Sequence, residues 1–238
     1  MPQPLSRVRA DANISIGNNW DNPSDHRPEL ALLAMKVIAE WSILESFMQG
    51  LFVAMLGANP GPAAAIYAAL TATATQKAAF KALAKSALSS DDERDVFDAI
   101  LMAFDTVAKI RNDIAHGVWG HSAQIPDGVL LCDADVLMEY HVALREALGG
   151  ETHSAMPTFP RDKMFVWKSQ DFISASAQIQ QVMNYVSQFQ LALRQDHLGN
   201  RDAQRLQRLL SEPPIHQTVS RIRERRNNPR ATQQSGRE

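Results

Sequence analysis

The sequence is poorest in cysteine. Cys132 is the single cysteine in 238 residues, which excludes an internal disulfide framework and suits a reducing compartment. Long apolar runs are missing too. The longest candidate near the N-terminus is interrupted by Lys36 and Glu40, so no segment reads as a membrane span. The opening MPQPLSRVRADANIS lacks the apolar core of a signal peptide. These absences predict a cytoplasmic protein with no membrane partner. Phosphate-loop, dinucleotide-loop and serine-hydrolase patterns (G-x-x-x-x-G-K-S/T, G-x-G-x-x-G, G-x-S-x-G) do not occur, and there is no internal repeat.

What remains is an ordinary soluble composition, 45% hydrophobic and 21% charged. The length suits one large domain or one domain with appendages. The net charge of −2 is unevenly spread: from Arg194 onward there are ten arginines against five acidic residues, so the preceding part is acidic. That asymmetry predicts a basic tail with its own partner or none.

The best-marked element is Val96 to Trp119. Val96, Ile100, Phe104, Val107 and Ile114 recur at helical spacing. Ser90 and Glu93 form an S-x-x-E capping box, and Asp91 and Asp92 add negative charge at the positive end of the helix dipole. Gly117 supplies the stop, as a residue able to adopt the left-handed conformation. Arg111 lies beside the apolar stripe, and His116 follows at the helix end. On an ideal helix five residues turn through roughly 500°, leaving the two about 140° apart. They share a face only if the helix ends before His116, as Gly117 suggests.

In chain order, residues 1–26 read as a flexible arm, with Trp20 docking onto the core. A first long helix begins near Pro28 and keeps a three-four rhythm from Leu30 through Trp41 to about Leu56. Glu45 lies on the margin of its apolar face, as a carboxylate reaching solvent or as a partner for Arg111. Residues 63–88 predict two short helices, or one broken near Thr71–Thr75. After Gly117, Pro126-Asp127-Gly128 between two short runs reads as a β-hairpin. Residues 134–148 add a helical segment, and Gly149 to Lys168 reads as a long loop or as a further strand at Lys163–Trp167. A last strong helix runs from Ser169 to about Gln195, with Ile173, Ile179, Met183, Val186, Phe189 and Leu193 on one face and Gly199-Asn200 ending it. Residues 201–210 suit a short amphipathic helix. From Pro213 the composition predicts disorder.

Arg111-Asn112-Asp113-Ile114-Ala115-His116 resembles the R-x(4–6)-H motif of the HEPN superfamily, α-helical proteins many of which are ribonucleases. Asn112 stands where that motif often carries a polar residue. Glu40-Trp41-Ser42-Ile43-Leu44-Glu45 and Gly117-Val118-Trp119 are similar to bacterial HEPN-like proteins as well, so the resemblance covers roughly Leu30 to Trp119. It implies a mainly α fold, a HEPN-like helical bundle with a small β-hairpin appendage. The expected organisation is an arm over 1–26, a helical domain over 27–212 with a β insertion near 118–167, and a disordered basic tail over 213–238. The implied activity is metal-independent endoribonuclease, of toxin or phage-defence type. RNA is then the substrate, a homodimer joins two motifs in one cleft, and an antitoxin protein is a possible partner. Some HEPN toxins carry R-x4-H-x-Tyr, with a tyrosine modified by a partner nucleotidyltransferase; Val118 stands at that place here.

The residues fit that chemistry. Histidine titrates near neutrality and serves as general base or acid. Arginine offers a planar fork of donors to phosphate oxygens, and Asn112 is suited to position either one or to bind phosphate. Arg111, Asn112, His116 and Glu45 are therefore the candidate catalytic set, with no cofactor and no metal ligands expected. His116, His121, Cys132 and His141 can be drawn as a metal set, but their spacing matches no standard zinc pattern. Trp119 suits base stacking or core packing, and the Arg221–Arg226 cluster suits nucleic-acid backbone or solvent. The alternative function is a non-catalytic helical dimerisation module that binds a protein or nucleotide. In that case Arg111 and His116 only offset the negative end of the helix dipole.

Overall fold

The computed structural model describes residues 1–17, 22–57, 59–70, 72–149, 155–194, 199 and 201–228. In chain order these form β1 (Gln3–Pro4), α1 (Leu5–Val8), β2 (Ser15–Ile16), α2 (Pro23–His26), α3 (Pro28–Leu56), α4 (Pro60–Ala69), α5 (Thr73–Ala87) and α6 (Asp91–His116). There follow β3 (Val118–His121), β4 (Gly128–Cys132), α7 (Ala134–Gly149), β5 (Met164–Lys168), α8 (Ser169–Leu193), α9 (Ala203–Ser211) and α10 (Pro213–Asn227). The protein is mainly helical with a small antiparallel sheet. No helix among the described residues is long and apolar enough to cross a membrane. The chain divides into two compact units, Met1–Trp41 with Val107–Gln178 and Ser42–Thr106 with Ile179–Glu238.

The first unit holds the sheet. The expected hairpin is present, with β3 and β4 antiparallel and Val118 opposite Cys132. It is part of something larger, a five-stranded sheet of order β1-β5-β4-β3-β2. Both outer strands come from the stretch read as a flexible arm, and that reading is corrected for residues 1–16. The physical reason is the sheet edge: strands β3 and β5 would otherwise present rows of unpaired backbone groups. Leu5 and Ala12 are fully buried, Ile14 and Ile16 pack on the same core, and Arg161 Nη1 donates to the Ala12 carbonyl at 2.8 Å. The docking of Trp20 lies outside the described residues.

Strand β4 is buried at every position because both of its faces are covered. Leu130 and Cys132 pack with Leu5, Leu137, Met164 and Val166. On the alternate face, Trp119 stands opposite Leu131 and Trp167 opposite Val129, and both tryptophans contact Phe172 of α8. Phe172 is buried whereas Ile173, expected on the apolar face of that helix, is 48% exposed.

The second unit is held by an aromatic chain, Tyr67–Phe52–Phe80–Phe97–Phe189, with ring centroids between 5.2 and 6.5 Å apart. The capping box forms as read: Glu93 N donates to Ser90 Oγ at 3.1 Å and Ser90 N to Glu93 Oε2 at 3.3 Å. Burial pushes the Glu93 carboxyl up, but the Arg201 guanidinium and the Ser89 and Ser90 amides outweigh it and hold it below its ordinary value.

Residues 213–227, expected to be disordered, form α10 instead. Composition hid a short stripe: Ile215 and Val219 are one turn apart and both buried. Arg223 and Arg226 then reach Asp95, which is 1% exposed, and Arg223 also reaches Asp92. Deleting residues 213–238 removes two buried apolar side chains, at about 1.5–3 kcal/mol each, and leaves Asp95 without its cations. Denaturant unfolding should show stability lower by about 2 kcal/mol or more; an unchanged midpoint would restore the reading of a dispensable tail.

Candidate functional site

The sequence RNDIAH is the last part of α6, in the first unit. A helix leaves its final carbonyls without intrahelical partners. Here Gly117 N donates to the Asp113 carbonyl, and Trp119 Nε1 donates to the Ile114 carbonyl, each at 3.1 Å. Gly117 does not take the expected left-handed conformation; the positive-φ glycines among the described residues are Gly17, Gly57 and Gly199. Glycine is required for another reason. A Cβ at this position would collide with the Asp113 carbonyl oxygen and lie 3.1 Å from Leu131 Cδ2. The chain can therefore pass directly from α6 into β3 only without a side chain here.

That ending places the motif. Arg111 is half-buried, while Asn112 and His116 are exposed. Arg111 Nη1 donates to Asn112 Oδ1 at 3.0 Å and stands 3.5 Å from His116 Nε2. The helix does not stop before His116; the reach of the arginine side chain closes the angular gap instead. A guanidinium has donors only, so the contact is a hydrogen bond when Nε2 carries a lone pair and Nδ1 carries the proton. In that tautomer Nε2 is the basic atom of the site. The Arg111 guanidinium carbon also lies 5.8 Å from the ring centroid of Trp41, a residue 5% exposed. Arg111 Nε is buried without a hydrogen-bond partner. No carboxylate of the first unit, among the described residues, pairs with this arginine.

The sequence offered Trp41 as a member of an apolar stripe and Glu40 as an interruption of it, and both as part of the resembling stretch Glu40–Glu45, but assigned neither a role in the site. Ser176 Oγ donates to Glu40 Oε2 at 2.6 Å, tying α3 to α8 beside Trp41, and Lys36 Nζ lies 3.7 Å from Oε1. The available signal was a carboxylate next to a tryptophan in an apolar stripe, a placement that requires a polar partner. Asp113, inside the motif, was also passed over. Desolvation pushes its carboxyl up, Lys109 pulls it down, and Asp133 pushes it up again.

The remaining candidates are placed as follows. Glu45 is exposed and belongs to the second unit, where burial first and then the Glu45 charge push the Tyr67 phenol up to about 12. Its expected pairing with Arg111 concerns residues of different units. Trp119 stacks on Phe172 with centroids 6.3 Å apart, so its ring serves the sheet core. Cys132 is buried in that core, and His121 stacks on His26 at 4.1 Å. Among the described residues, no three His, Cys, Asp or Glu side chains come together to hold a metal ion.

Compared with family models, with curated proteins and with solved structures, the chain matches none of them.

The close pass at the end of α6 makes one substitution diagnostic. Gly117→Ala should destabilise the chain by about 1–3 kcal/mol, the cost of forcing an extra methyl into a filled space. Equilibrium unfolding with unchanged stability would mean that the backbone at Asp113 yields freely.

Proposed function

We propose that this chain is a metal-independent endoribonuclease of HEPN type, of toxin or phage-defence character. The supporting observation is the cluster at the end of α6, with Arg111 Nη1 3.0 Å from Asn112 Oδ1 and 3.5 Å from His116 Nε2. As Arg111 turns its donors from His116 to the phosphate, the freed Nε2 lone pair accepts the proton of a ribose 2′-hydroxyl, whose oxygen attacks the adjacent phosphorus. Arg111 steadies the negative charge that develops on the phosphorane oxygens. Asn112 orients the arginine. The 5′-oxygen leaves and takes a proton from water while the imidazolium gives its own back to solvent, so the products carry 2′,3′-cyclic phosphate and 5′-hydroxyl ends. In the resembling family two protomers join their motifs in one cleft, and this reading therefore includes a homodimer, with an antitoxin protein as a further partner.

A second reading has its own observation. Arg111 and His116 lie in the last turns of α6, where positive charge offsets the negative end of the helix dipole. A non-catalytic dimerisation module that binds a protein or nucleotide would need no more than that. Glu45 separates the readings in part. A double-mutant cycle on Glu45 and Arg111 should give a coupling of about 0.5–3 kcal/mol if they share a network, and a coupling near zero would remove Glu45 from the site.

The decisive experiment is cleavage of single-stranded RNA with identification of both ends. Cyclic phosphate and 5′-hydroxyl termini are expected, with the rate unchanged by EDTA and abolished by a 2′-deoxy nucleotide at the cut. His116→Ala should end cleavage while preserving the melting temperature, whereas Arg111→Ala should weaken both. A metal requirement or 5′-phosphate products would overturn the mechanism. Wild-type protein inert on varied RNAs would favour the second reading. Sedimentation at micromolar concentration should show a dimer, and a strict monomer would remove the shared cleft.

A further inference from the structure

Arginines in this protein are held in two different ways. In the second unit Arg201, Arg223 and Arg226 each bind carboxylates, Glu93 for the first, Asp92 and Asp95 for the second, and Asp95 for the third. Those charges are neutralised where they stand. Arg111 is held by groups that carry no negative charge: an amide oxygen, an imidazole nitrogen and the face of an indole. A carboxylate clamp would fix the guanidinium equally well, but it would cancel the field that an incoming anion responds to. An aromatic face attracts a cation through its quadrupole and leaves the net charge intact.

We propose that Trp41 is the positioning residue for Arg111, holding its guanidinium against the indole face so that its positive charge meets a phosphate diester. The inference rests on the nuclease reading above and names what orients its cation. Three observations carry it. The guanidinium carbon lies 5.8 Å from the Trp41 centroid, and the indole is 5% exposed and so fixed by its surroundings. Glu40, its chain neighbour, is tied to Ser176 of α8, which anchors the turn of α3 that presents the ring. The buried Arg111 Nε finds no acceptor, so a hydrogen bond there does not set the orientation. Arginine side chains carry large rotamer freedom, and the contact with the indole face reduces it.

The test compares Trp41→Phe, which keeps an aromatic face, with Trp41→Leu, which keeps only apolar bulk. Three readouts are needed: the Arg111 Nε–Hε resonance, the melting temperature, and kcat and KM for RNA cleavage. In wild type the resonance should show the ring-current displacement of a stacked guanidinium, retained in part by Phe and lost with Leu. The Leu variant should lose about tenfold in kcat with KM little changed, as expected of a misplaced cation, and the Phe variant should recover most of that loss. Equal loss in both variants, in step with melting temperature, would reduce Trp41 to a packing residue and overturn the proposal. An Arg111 resonance indifferent to Trp41→Leu would do the same. If wild type cleaves no RNA, the nuclease reading fails with Trp41's catalytic role; a ring-current displacement lost only in the Leu variant would still place Arg111 on the indole.

Discussion

The end of α6 is the constraint on which the candidate site depends. Two carbonyls in its last turn are satisfied from outside the helix, one by the Gly117 amide and one by the Trp119 indole. Because Trp119 is paired with Leu131 in the sheet and stacked on Phe172, the helix terminus is anchored to the central strand. Any change that moves β3 moves the carbonyls it caps, and with them the turn that carries Arg111 and His116. The polar cluster is thus positioned by an apolar sheet.

Charge is handled differently at the two ends of α6. The acidic first turns of α6 receive arginines from α9's approach and from α10, which turns the sequence's acidic body and basic tail into internal pairs. At the other end of the same helix a single arginine stands among neutral neighbours within its unit.

Much of this was legible in the residues. Regular apolar spacing located α3, α6 and α8 closely, and the S-x-x-E pattern at Ser90 and Glu93 formed the reciprocal bonds it implies. Three features were not legible, each for a physical reason. Strands β1 and β2 are two residues long and have no periodicity of their own; the edges they cover define them. Helix α10 was masked by its arginines, because an average over composition weighs charges without knowing that Asp92 and Asp95 await them. The contact between Arg111 and His116 follows from the reach of a side chain, which backbone angles do not reveal. Trp41 was visible as an apolar residue and as part of the resembling stretch, but its contact with Arg111 was not, since a one-dimensional pattern does not record which ring face a cation meets.

The pairing of α10 with α6 joins residues 131 positions apart, and strand β1, at residues 3–4, pairs with β5, at residues 164–168. Each unit is assembled from two separate stretches, so neither is contiguous along the chain. During synthesis the acidic turns of α6 emerge with no arginine to meet them, and the first residues wait for β5 before their backbone groups find partners. Such long-range closure slows folding, because loop entropy is lost before the contacts that reward it form. The nascent chain must therefore keep a half-built sheet and a run of unmatched carboxylates in solution until its later segments arrive.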